Sequence, residues 1–322
     1  MDYSVFTYTI SIVIFSFIMA PIIEWIERKL VAKIQRRVGP YFTGPKGFLQ
    51  PFYDFFKLLG KEENLPENMD KLVAHLAVLL AVILPIFGIL FIPIFSPVSP
   101  YNFQGDFLFI LVILSFLAFS IVMAGLASLT PFTVVGTGRL IVQYSMYEVI
   151  LIISLFLAFA QVGDYSISAI LKYQIANYPL ILTQPLTFFV MIFSLLAVLE
   201  EPPFDLPHAK QEIVAGWKTE YSGRLLAFIL FSRNLKFLYI ALIIVTVFLA
   251  GGYGPGINKY GFLWIIYLLI KLLFVVFLVT FVKAIAVRVR SLYLPKNLWL
   301  KFIPILILQL IIIGGLKTLG AI

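Results

Sequence analysis

Apolar stretches alternate with short polar ones along almost the whole chain. Runs of about 20 mostly apolar residues, the length needed to cross a hydrocarbon core, occur at about Tyr3–Ile26, Leu72–Phe95, Phe107–Thr130, Leu140–Ala160, Leu180–Leu199, Leu225–Ala250, Phe262–Val287 and Leu298–Leu319. Each predicts a spanning helix, because in lipid only a helix pairs all its backbone groups within one segment. The first is expected to continue to about Gln35, since Glu24 and Arg28 stand four apart and can pair. Between Gly47 and Lys61 the pattern changes. Phe48, Phe52, Phe55, Phe56 and Leu59 share one helical face, and Gln50, Asp54, Lys57 and Lys61 share the other. That run is too short and too one-sided to span, and it predicts a helix lying in the membrane interface. Its aromatic stripe fits a membrane anchor or the lip of a cavity for an apolar ligand, and periodicity favours the anchor. The expected fold is an all-α integral membrane protein, one domain over 1–322, with eight transmembrane helices and an amphipathic interfacial helix.

Composition narrows the chemistry. Of 322 residues, 61% are hydrophobic and only 12% charged, against roughly a quarter charged in soluble proteins, which excludes a soluble globule and a disordered chain. The absence of cysteine excludes disulfides, thiolate metal sites and iron–sulfur clusters held by this chain. Two histidines, His75 and His208, are too few to suggest a haem protein. Only Met1 and Asp2 precede the first apolar run, so the basic start of a signal peptide is missing. Twenty of the 24 Lys and Arg residues fall on one side of the eight-span layout, within 27–71, 131–139, 200–236 and 283–301. By the positive-inside rule, loops at about 27–71, 200–224 and 288–297 face the cytoplasm and both termini lie outside the cell membrane. Such basic loops serve topology and attraction to anionic lipid, or dock a soluble partner. No nucleic-acid-binding module accompanies them.

Charge inside a membrane costs about 2.5–3.5 kcal/mol on insertion scales and marks candidate function. Glu148 lies near the middle of the fourth span, just after Gln143, Tyr144 and Ser145. It is either an idle neutral acid or one that loads and releases protons; the second is favoured, because an idle acid would cost less as glutamine. Glu200 and Glu201 close the fifth span, where the helix dipole and their mutual repulsion predict a titrating pair; two solvated carboxylates are the plainer reading. Lys271, inside the seventh span, has three open roles: snorkelling, pairing with a neighbouring acid, or proton relay. In the following loop Pro202, Pro203 and Pro207 break the helix, and Asp205, Glu212 and Glu220 form an acidic string. Helical spacing would set His208 and Glu212 on one face. A metal needs three or four ligands, so His208 is expected to hydrogen-bond or titrate instead.

Two loop blocks carry a resemblance. The first comprises Glu27-Arg28-Lys29, Gln35, Arg37, Gly39-Pro40, Gly44, Gly47, Leu49-Gln50-Pro51, Asp54, Lys57-Leu58-Leu59 and Lys61-Glu62. The second comprises Pro203-Phe204-Asp205-Leu206, Glu212, Val214, Gly216 and Glu220-Tyr221. In them the chain resembles the membrane-embedded subunit 1 (the H type) of respiratory complex I and its relatives in membrane-bound energy-converting hydrogenases. The resemblance implies a coupling subunit without a redox centre of its own. It would sit between a soluble arm and antiporter-like membrane subunits, and iron–sulfur clusters would lie in the arm. By motif match it implies a proton path that includes Glu148, Glu212 and Glu220, with Arg28, Arg37, Asp54 and Lys57 in the first-loop cavity wall. The membrane charges Glu200, Glu201 and Lys271 and the loop acid Asp205 are further candidates for that path, and Glu27, Arg36, His208 and Tyr221 for the cavity wall and docking loop. His208 and Lys210 stand where quinone-reducing members carry glutamates, an expected arginine before the second block is missing, and Arg233 replaces a glutamate. These departures point to the hydrogenase-type branch, with a [NiFe] centre in a hydrogenase-like partner. A quinone-binding complex I subunit is the alternative, and a free-standing ion carrier a weaker one.

Overall fold

A computed structural model describes residues 3–257, 261–289 and 294–318, all helices and connections. Among the described residues, seven helices are long and apolar enough to cross a membrane: α1 (Tyr3–Ile34), α3 (Lys71–Ile89), α4 (Asp106–Leu126), α5 (Pro131–Val162), α10 (Gly223–Phe248), α11 (Leu263–Ile285) and α12 (Leu294–Thr318). The short helices are α2 (Gln50–Leu59), α6 (Ile167–Ala176), α7 (Leu180–Thr183), α8 (Pro185–Val198) and α9 (Lys210–Ile213). Of the loop predicted at 288–297, residues 290–293 lie outside the described residues, as do Met1, Asp2 and Lys259, and 294–297 already belong to α12.

The eighth expected span is a correction. Leu180–Leu199 divides at Gln184, whose φ of −126° and ψ of 53° are not helical. Pro185 explains the break: it has no N–H to donate, and its ring pushes the preceding residue out of helical geometry. The 14 residues of α8 extend about 21 Å at 1.5 Å each, short of the hydrocarbon thickness of about 30 Å. A second difference concerns 131–139, expected as a connection. Pro131 at the first helical position starts α5 nine residues early, so Arg139 sits on a helix.

The core forms around α10. Every residue from Leu235 to Val245 is buried, against α1, α3, α8 and α11. Contact with α3 depends on Gly88, where an added Cβ would lie 2.4 Å from the Tyr239 ring. The interfacial helix α2 lies on α1 and α10. Phe55 meets Phe231 at 5.0 Å and Phe17 at 6.0 Å between ring centres, while Phe56 on the same expected stripe is exposed. Across the polar side, Gln50 donates to Asp54 at 2.9 Å and Arg28 donates to Asp54 at 2.9 Å. Both sides of α2 are thus held by protein, and the helix is more than a membrane anchor.

Candidate functional site

The loop between α8 and α10 folds back over the helix ends instead of extending into solvent. Gly216 makes this possible: its φ is +64°, and an added Cβ would lie 1.7 Å from the Pro207 carbonyl oxygen, so only glycine fits. On α5, a Cβ at Gly136 would lie 2.6 Å from the Trp217 amide nitrogen, so the loop backbone packs directly on that helix. A cavity of about 720 Å³ is left beneath the loop. Its walls are Glu24, Glu27, Arg28 and Ala32 of α1, Arg37 to Pro40 beyond it, Glu200, Glu201, Asp205, His208 and Lys218 of the loop, Arg233 of α10 and Lys283 of α11.

Two charge clusters build the chamber. In the first, both Arg233 terminal nitrogens donate to Glu27, at 2.9 to 3.1 Å. Lys283 reaches Glu27 at 2.5 Å and Glu201 at 2.7 Å, and Arg233 also pairs with Glu201. Two acids and two bases cancel, which permits burial of charges that would be prohibitive singly. Arg28 extends the cluster outward by pairing with Glu24, and Asn234 donates to the same carboxylate.

Glu200 centres the second cluster. It accepts from Tyr144 Oη at 2.6 Å and Trp217 Nε1 at 3.0 Å. His208 Nε2 lies against it, with Lys236 at 3.7 Å and Lys218 at 3.8 Å. Burial alone would push this carboxyl's pKa up, but Lys218, His208 and Lys236 together outweigh it and hold the pKa well below the usual carboxylate range. Burial pushes the Lys218 ammonium down, opposed in part by Glu200. His208 Nδ1 stands 3.1 Å from the Ala215 carbonyl and must donate to it, which leaves Nε2 facing Glu200 as the exchangeable position.

Behind Glu200 the polar contacts continue inward. Lys236 Nζ donates to Tyr144 Oη at 2.8 Å and to the Val198 carbonyl at 2.6 Å. Next to both lies a void of about 20 Å³ lined by Glu148, Tyr144, Lys236, Leu114, Leu117 and Val198 among others. That volume suits a single water, for which about 10–15 Å³ suffices when polar partners are near. Chamber, Glu200, Tyr144, Lys236 and Glu148 therefore follow one another in space. Glu148 is half-buried and makes no hydrogen bond or ion pair with another described residue.

Of the residues singled out in the sequence, Glu27, Arg28, Arg37, Glu200, Glu201, Asp205 and His208 meet at the chamber. Others do not. Asp54 touches it only through Arg28, and Lys57 and Arg36 are exposed. His208 and Glu212 share no helical face, because α9 begins only at Lys210. Glu212 lies exposed and pairs with Arg139, whose hydrogen bond and charge lower its pKa. Glu220 is half-buried and away from the chamber wall. Buried Tyr221 donates to the Ala124 carbonyl at 2.6 Å and pins the loop to α4.

Glu200 and Glu201 are not a mutually repelling pair, because adjacent loop residues send their side chains to different cationic partners. Lys271 serves the opposite end of α10: its Nζ donates to the Leu249, Gly251 and Tyr253 carbonyls at 2.6 to 2.9 Å, satisfying groups that the helix end leaves open. Missed from the site were Arg233, Lys236, Lys283, Lys218 and Tyr144. Arg233 and Lys236 count among the loop charges in the topology argument, yet both fall inside the span predicted at Leu225–Ala250. The rule that intramembrane charge marks function applied to them.

A family model described as NADH dehydrogenase matches residues 6–314. The chain belongs to that family. Among its relatives, the H-type subunit of a NADH-quinone oxidoreductase from Thermomicrobium roseum is 33% identical, over 92% of this chain and 91% of that one. The like-named protein of Dehalococcoides mccartyi is 32% identical over 94% and 84%, and that of Helicobacter acinonychis 31% identical over 90% of each. As a member of the NADH dehydrogenase family with seven candidate spans, the chain is a multi-pass membrane protein. The relatives' names give the hydrogenase-type expectation no support; the quinone alternative fits them better. Among the described residues, no group of three or more His, Cys, Asp and Glu could hold a metal ion.

Proposed function

We propose that this chain is the H-type membrane subunit of a complex-I-like NADH:quinone oxidoreductase, and that its chamber receives the quinone headgroup and couples reduction there to proton movement. One observation carries the reading: a cavity of ligand size, about 720 Å³, is joined by Glu200, Tyr144 and Lys236 to Glu148, an acid inside the bundle whose side chain has no partner among the described residues. Quinone takes two electrons, supplied by iron–sulfur clusters of a docked soluble partner, and two protons to become quinol. His208 Nε2 is placed to give one of those protons, and removing it would leave Glu200 with less opposing charge. The uncompensated negative charge draws a proton toward Glu200 along Lys236, Tyr144 and Glu148, and that shift is passed laterally to adjoining antiporter-like membrane subunits. The face carrying the basic loops is cytoplasmic in this reading, with both termini outside. His208 and Arg233, which by sequence suggest the hydrogenase branch, have a role within it, since each pairs with a chamber acid.

The test uses the assembled complex in sealed vesicles. Glu148→Gln should let NADH-driven quinone reduction proceed while the proton gradient formed per NADH falls several-fold. An unchanged gradient would remove Glu148 from the path. Hydrogen evolution with indifference to quinone-site inhibitors would remove the quinone.

A further inference from the structure

The chamber leaves unexplained a set of buried polar atoms on α5, on α8 and at the junction before α8. Tyr147 Oη, Ser194 Oγ, Thr187 Oγ1 and Gln184 Oε1 have no hydrogen-bond partner among the described residues, and all four residues are at most 1% exposed. Such groups in a bilayer are strongly unfavourable unless something satisfies them.

Their positions form a pattern. The two helices pack antiparallel: Gln143 near the chamber end of α5 donates to the Ala197 carbonyl at 2.7 Å, and Gln184 at the far end donates to the Leu157 carbonyl at 3.1 Å. Counting from the Leu157–Gln184 contact, three residues back along α5 and three forward along α8 bring Ser154 opposite Thr187. Ten residues bring Tyr147 opposite Ser194. A third polar level lies at the far end, where Gln161 Oε1 accepts from Gln184 Nε2 at 2.8 Å and from Thr183 Oγ1 at 3.0 Å. Thr183 also lines a groove of about 400 Å³ beside α12. From Tyr147 to Gln161 the levels cover about 21 Å of helix.

We propose that this seam is a second route for water and protons, leading from the chamber end of α5 to the face of the membrane opposite the basic loops. Each level offers the two or more polar partners that hold a water. Neighbouring levels are about 10 Å apart and separated by buried apolar residues such as Leu151 and Met191. These layers make it a gated route, conducting only when they wet. The break before Pro185 leaves α8 short and free of a continuous helical extension. The route does not depend on quinone being the substrate, because thiol labelling reads water access to the seam directly.

The chain contains no cysteine, so single cysteines can be placed in it within the complete complex. Thr187→Cys and Ser194→Cys should react with a small membrane-impermeant thiol reagent, added on the face away from the basic loops, roughly tenfold faster than Ile192→Cys. Ile192 is buried on the same helix and, five residues from Thr187 and two from Ser194, falls on a different helical face. Reaction at the control rate in both variants would overturn the proposal. Thr187→Val, which keeps the shape, should lower the protons moved per electron pair without slowing electron transfer. An unchanged ratio would reduce the seam to bound water and overturn the route.

Discussion

The chamber end of the molecule and the α5–α8 seam solve the same problem by different means. Both hold polar groups in a low-dielectric interior. At the chamber, Glu27, Glu201, Arg233 and Lys283 are interlocked by ion pairs, and Glu200 is surrounded by His208, Lys218 and Lys236. Along the seam the groups are hydroxyls and amides. Helix α10 repeats the contrast: its charged residues end at Lys236, beyond which Tyr239 and Thr246 are its polar residues. The difference follows from what each end can supply. One loop and the ends of α1, α10 and α11 converge on the chamber and provide counter-charges from four chain segments. Deep between two helices no such supply exists, and only neutral groups, with a far smaller desolvation penalty, are tolerable.

Three measurements sharpen or break this comparison. The largest effect belongs to Arg233→Leu, which strands Glu27 and Glu201 near a single lysine. A loss of about 3–5 kcal/mol is expected, the usual cost of breaking a buried ion pair, read as a lowered melting temperature of the purified complex. A negligible shift would show that the interlocked charges contribute nothing. Gln184→Leu should be milder. It removes the donor to the Leu157 carbonyl and to Gln161, so about 1–3 kcal/mol is expected. A loss as great as that at Arg233 would erase the distinction between ionic and neutral regions.

The smallest effect is a pH dependence. Glu200 has its pKa lowered in the folded protein by Lys218, His208 and Lys236 acting against burial, while an unfolded glutamate titrates near 4.3. Its contribution is therefore complete above about pH 4.3 and lost only as pH falls through the still lower folded value. The stability difference between the native complex and Glu200→Gln should stay level from about pH 7 to 5 and shrink only in stronger acid. A difference that vanished between 7 and 5 would mean the carboxyl is protonated in the folded chamber.

Much of the helical layout was legible because apolar run length follows directly from bilayer thickness. The error at Leu180–Leu199 arose because hydropathy measures apolarity and takes no account of what Pro185 does to the residue before it. The site was half-legible. Glu148 and Glu200 were conspicuous as acids beside apolar sequence, whereas Lys236 was absorbed into a count of topological charge. Lys271 had the same credentials as Glu148 but caps a helix end, a difference no single helix reveals.

By itself, then, the sequence determined that the chain lives in lipid, roughly where its long helices run, which face carries the basic loops and which residues are too costly to be there without a reason. These follow from the free energy of transferring each residue type, a property that is additive along the chain. Tertiary structure alone decided the partners: that Glu200 and Glu201 face different cations, that Glu212 leaves the chamber for Arg139, and that Tyr147, Ser154, Thr187 and Ser194 fall at matching heights on two helices. Pairing energies depend on distances between segments far apart in sequence, and those distances are set only when the helices pack.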